Sequence, residues 1–148
     1  TTSFGDNPTF EFGDKWYLKV KANRKTWLYC YYIQVDRKVL PIYPNHVTWI
    51  NGTGPLLNAQ QVIIIGNENE PSGLTLKTEK PAGFELIKCF AASRDIGELQ
   101  HLTAASKNNP LSPIQDDYLK NLSDIFTRAD PDVTEKSIAV TVVPKRPN

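Results

Sequence analysis

KWYLKVKANRKTWLYCYYIQVD, residues 15–36, decides the fold class. From Lys15 to Asn23 the residues alternate, with Trp16, Leu18, Val20 and Ala22 on one face and Lys15, Tyr17, Lys19 and Lys21 on the other. That period of two is the pattern of a half-buried strand whose solvent face is basic. Thr26 to Asp36 then carries aromatic and β-branched residues on both faces, which places it in the middle of a sheet, where neither face meets water. Arg24-Lys25 reads as the hairpin turn between the two strands.

Strands continue downstream of this pair. Asp36-Arg37-Lys38 makes a turn, Val39 to Tyr43 a short strand, and Pro44-Asn45 ends it because proline cannot donate to a ladder. A long polar connection over residues 45–60 contains Asn51-Gly52 and Gly54-Pro55, and strands are expected at Gln61 to Ile65 and Leu74 to Glu79. Lys80-Pro81-Ala82-Gly83 places proline and glycine as a type I turn prefers, and it feeds a strand from Phe84 to Ala92.

The pattern changes after Ser93. Residues 98–105 suit one or two helical turns, and a clear amphipathic helix is expected at about 113–129. Ser112 is its N-cap, Pro113 its first residue and Gln115 completes a capping box, while Asp116 and Asp117 favour the positive end of the dipole. Ile114, Tyr118, Leu122, Ile125 and Ala129 form its apolar stripe. Ser137 to Val143 alternates as a last strand. Residues 1–13 show no period and read as a leading tail, 14–143 as a single domain, and 144–148 as a tail or linker. Short strands at near-regular spacing with one late helix predict a mainly β chain, an antiparallel β-sandwich of immunoglobulin-like type, rather than a parallel α/β sheet.

Composition narrows the function classes. With 17 basic and 16 acidic residues among 148, the net charge is +1, so no field gathers phosphate backbones or anionic lipid, and nucleic acid is not the expected partner. The longest apolar runs, such as Val62-Ile63-Ile64-Ile65, fall far short of a bilayer-crossing span. The chain opens Thr1-Thr2-Ser3 and has no Met, from which a natural start outside this segment, with a signal peptide or lipid anchor, is expected.

Residues able to do chemistry are sparse and scattered. His46 and His101 belong to no metal-binding spacing, no Ser lies in GxSxG, and Gly52-Thr53-Gly54 leads into proline rather than a helix. Neither a catalytic centre, a metal site nor a cofactor is expected. Cys30 and Cys89 both sit in strand-like runs, and two readings stand: a disulfide tying two central strands in an oxidising compartment, or two small buried residues that pack as hydrophobes. The row Trp27, Tyr29, Tyr31 is either sandwich core or a stacking platform. His46, Trp49 and Asn51, in a turn-rich connection, form the candidate binding surface.

The order of segments carries a resemblance. An alternating strand, an aromatic strand ending in an acidic turn, a short strand closed by Tyr43-Pro44-Asn45, and Pro81-Ala82-Gly83-Phe84-Glu85 opening the strand ELIKCFAAS together resemble the bacterial domain of unknown function DUF4384 over residues 14–93. Arg37-Lys38 stand where the family's turn has a glycine. The resemblance implies a small β domain of an envelope or secreted protein, often a lipoprotein, with no catalytic residues to carry over. The expected function is a non-catalytic interaction or structural domain of an exported bacterial envelope protein, in the periplasm or cell envelope, such as part of a secretion-system complex. Its partner would be a protein or a neighbouring domain, bound without membrane insertion. The alternative is a module that binds carbohydrate or peptidoglycan fragments through exposed aromatics.

Overall fold

A computed structural model of the chain describes residues 1–2, 4–44, 54–66, 75–96 and 121–147. Its centre is an antiparallel pair, β4 (Thr26–Ile33) and β9 (Gly83–Ala92), whose aromatic and aliphatic side chains are buried or half-buried on both faces apart from exposed Phe84 at the start of β9. β5 (Val39–Tyr43) pairs with the outer side of β4, and β6 (Leu56–Leu57) pairs with its first residues. On the other side β9 pairs along its length with β10 (Thr134–Val143). β1 (Thr9–Glu11) closes the row parallel to the last residues of β10, giving the order β1-β10-β9-β4-β5.

Both faces of this sheet are covered, by different means. Two antiparallel ribbons lie on one face: β2 (Lys15–Trp16) with β8 (Leu76–Lys77), and β3 (Leu18–Lys21) with β7 (Val62–Ile65). Trp16, Leu18, Ile65 and Leu76 of the ribbons join Leu28, Cys30, Ile42, Ile87, Val140 and Val142 of the sheet in one core, the packing of a β-sandwich. On the opposite face lies the helix α1 (Leu122–Ala129), which buries Leu122 and Phe126 against Tyr29, Tyr31, Phe90 and Ala92. Phe126 stacks on Phe90 with centroids 4.2 Å apart and meets Tyr31 edge-on at 6.0 Å. The described residues are therefore mainly β, with mostly antiparallel pairing and one short late helix. Among the described residues no helix is long and apolar enough to cross a membrane.

Several local expectations change. Arg24-Lys25 does not close a hairpin: the alternating strand breaks at Tyr17 into β2 and β3, and β3 pairs with β7 in the second layer instead of with β4. The face that buries Leu18 needs a layer above the sheet, and a hairpin would leave it in the sheet's own plane. Residues 9–11, expected in the leading tail, are a strand of the sheet, with Phe10 fully buried. β10 begins at Thr134, earlier than Ser137. The described helix runs Leu122–Ala129, and the expected cap at Ser112 to Asp117 lies outside the described residues.

Candidate functional site

β10 lies inside the sheet, yet β1 covers only its last three residues, Thr141 to Val143. Thr141 donates its backbone N–H to the Pro8 carbonyl at 3.1 Å, and Phe12 donates to the Val143 carbonyl at 3.1 Å. Odd-numbered residues of β10 thus aim their backbone groups away from β9, and even-numbered ones aim them at β9. The β9 register runs unbroken from Thr134 to Val142, so Glu135, Ser137 and Ala139 have the same outward orientation as Thr141. Among the described residues no strand pairs with them, and Thr134, Glu135, Lys136, Ser137 and Ala139 are all exposed.

The path of the described residues before β1 leaves this stretch uncovered. To prolong β1 backwards, residues 1–8 would have to run beside residues 133–140. Instead Thr2 bridges Leu18, and the Thr1 carbonyl accepts from the Lys19 N–H at 2.7 Å, which draws this segment to the ribbon layer. The opposite edge of the sheet is closed by contrast. Every residue of β5 is buried, and Pro41 lies within it, so that edge presents neither an open surface nor a full ladder of donors.

A cleft of about 200 Å³ opens beside the β10 edge, between the sheet and the β3 ribbon. Leu28, Leu57, Cys89 and Ala91 line its sheet side and Val20 and Ala22 its ribbon side. Lys21, Arg24 and Lys136 stand at its exposed rim, and no acidic residue lines it. Within the described residues none of these three cations has an ion-pair partner. The one acid of the open edge is held on the other face of the sheet: Glu135 meets the Lys88 ammonium at 2.6 Å and accepts from Ser123 of α1 at 2.9 Å. Burial raises the Glu135 carboxyl, but the hydrogen bonds from Lys88 and Ser123 and the Lys88 charge outweigh it and hold the group below the usual glutamate value.

Cys30 and Cys89 sit directly opposite each other in β4 and β9 and are joined by a disulfide, their Cα atoms 4.1 Å apart. That closeness is typical of a non-hydrogen-bonded antiparallel pair. It agrees with the β10 pattern, since Cys89 then turns its backbone groups to Lys136. Cys30 is fully buried, and Cys89 lines the cleft.

Two buried carboxyls brace the frame away from the cleft. Glu85 accepts hydrogen bonds from the Tyr32 hydroxyl and, at 3.1 Å, from the Val35 N–H. Burial pushes its pKa up to about 7, the Val35 N–H opposing. Asp130, just past α1, accepts from the Ser93 N–H at 2.6 Å and from the Asp132 N–H at 3.0 Å. Burial raises Asp130, but these bonds, the Ser93 hydroxyl and Arg94 together lower it.

His46, Trp49 and Asn51 lie outside the described residues. In the aromatic row, Tyr29 and Tyr31 are core beneath α1, and Trp27 is half-buried with the Lys25 ammonium 5.5 Å above its ring. Sequence reasoning missed Lys21, Arg24 and Lys136 as a group, since only the pairing of β10 with β9 brings Lys136 to the other two. Among the described residues no group of three His, Cys, Asp or Glu is placed to hold a metal.

Compared with known proteins, residues 9–95 match the family described as a domain of unknown function, DUF4384. No curated protein and no solved structure gives a significant match. The matched segment stops before β10, although β10 lies between β1 and β9, both inside it.

Proposed function

This chain belongs to the DUF4384 family, and on that premise we propose that it is a non-catalytic interaction domain of an exported bacterial envelope protein, taking a partner's extended segment along β10. The open edge carries this reading. Glu135, Ser137 and Ala139 hold a row of outward donors and acceptors on a strand fixed by β9, and an extended chain can satisfy them by adding one more strand. The Cys30–Cys89 disulfide supports an oxidising compartment such as the periplasm. Within that setting the domain would serve an envelope assembly, a secretion-system complex being one case, by holding a partner protein or a neighbouring domain.

Proline at position 137 removes only an outward N–H, so Ser137→Pro blocks strand addition while sparing the bonds to β9. With the domain as bait in the native envelope fraction, a specific protein should be retained by the wild type and lost with Ser137→Pro. Equal retention by both, or no retained protein, overturns the reading.

A further inference from the structure

We propose that the segment received by the β10 edge is acidic on the side that faces the cleft. The inference rests on the strand-addition reading and adds the chemistry of the partner. A strand laid against Glu135, Ser137 and Ala139 sits about 4.8 Å from β10, and its side chains alternate between the two faces of the sheet. On the α1 face it meets Glu135, already bound to Lys88 and Ser123, with Ser137 and Ala139. Small polar residues fit there. On the ribbon face it meets Lys136, with Lys21 and Arg24 across the mouth of the cleft.

Those three cations have no counter-charge among the described residues, and the acid closest to them in sequence, Glu135, is tied to the opposite face. Carboxylates at every second position of the added strand would supply the missing charge. Basic residues there would be repelled, and a neutral strand would leave the rim unpaired. Charged edges commonly bar indiscriminate strand pairing. Here the same charges would exclude neutral and basic strands and admit an acidic one, so that repulsion sets the specificity.

The test uses the whole chain and three fluorescein-labelled peptides of one length, alternating threonine with glutamate, glutamine or lysine, read by fluorescence anisotropy at low salt. The glutamate peptide should bind at least tenfold tighter than the glutamine peptide, and the lysine peptide should not bind. The double variant Lys21→Glu/Lys136→Glu should reverse that order, and Ser137→Pro should abolish binding of all three. If glutamine and glutamate peptides bind equally, the double variant changes nothing and Ser137→Pro still abolishes binding, the edge reading survives and the acidic partner is overturned. If Ser137→Pro leaves glutamate-peptide binding intact, or no peptide binds, both fall for this edge. A dimer seen by sedimentation that dissolves in Ser137→Pro makes a second copy the occupant and overturns the proposal.

Discussion

The Tyr32 hydroxyl donates a hydrogen bond to the carboxyl of Glu85 across the β4–β9 pair, in the interior of the sandwich. Tyr32 is held in place by Trp16, edge-on at 5.1 Å, so the carboxyl is braced by the ribbon layer as well as by its own sheet. With a folded pKa near 7 against an ordinary 4.5, Glu85 keeps its proton in the fold over a range where the unfolded chain has lost it. Its contribution is fully present below about pH 4.5 and falls as pH rises towards 7. Urea midpoints at pH 4, 5.5 and 8 should therefore show the stability of Glu85→Gln relative to the wild type rising from pH 4 to pH 8. Parallel curves would refute the assignment.

Phe126 fills the interface between α1 and the sheet with contacts to Phe90, Tyr29 and Tyr31. Truncating a buried phenylalanine costs about 3–5 kcal/mol through lost burial and the cavity left behind. Phe126→Ala should lower unfolding stability by that amount and release α1 first, seen as loss of amide protection around Ile125 before that of β9. A loss under about 1 kcal/mol would mean that the helix is not a covering layer.

The Cys30–Cys89 bridge closes a 59-residue sequence separation. Cross-links of this kind stabilise by about 2–4 kcal/mol, chiefly by restricting the unfolded chain. Cys30→Ala/Cys89→Ala should lose that much in denaturant titrations while keeping the β-type circular dichroism of the wild type. Unchanged stability in the double variant would show that the pair is not bonded in solution.

Arg37 has a φ of 71°, in the left-handed region that favours glycine. The turn around it is held by Gln34 N–H donating to the Lys38 carbonyl at 2.9 Å. Arg37→Gly should stabilise the domain by about 0.5–1 kcal/mol, relief of strain exceeding the added freedom of the unfolded chain. Thermal melting checks the sign, and a destabilised variant would mean that the Arg37 side chain contributes more than its backbone costs.

What was legible in the sequence was what local pattern decides. β4, β5 and β9 stand out because aromatic and branched residues crowd both faces of strands that are buried on both faces. β1 and β6 did not, since three and two residues are too few to show a period. Thr134-Glu135-Lys136 escaped for a different reason: an edge strand open to water needs no apolar alternation, so the segment that forms the candidate site looks like loop. The cysteines were visible, but their pairing depends on a β4–β9 register set by contacts distant in sequence. The rim of Lys21, Arg24 and Lys136 draws on both ends of the chain and has no local signature.

The position of β10 also fixes when this sheet can be finished. The last of the described strands is an inner one, and until Val143 has been synthesised β1 has no neighbour in the described sheet and one side of β9 stays bare. A growing chain that ends at residue 95 holds all of the family segment and still has a gap between β1 and β9. Closure must await β10, which begins at Thr134, well after β9 has ended at Ala92, and such distant pairing is slow. The seam between β1 and β9 is thus filled by the last of the described strands, out of step with the order in which the strands are made.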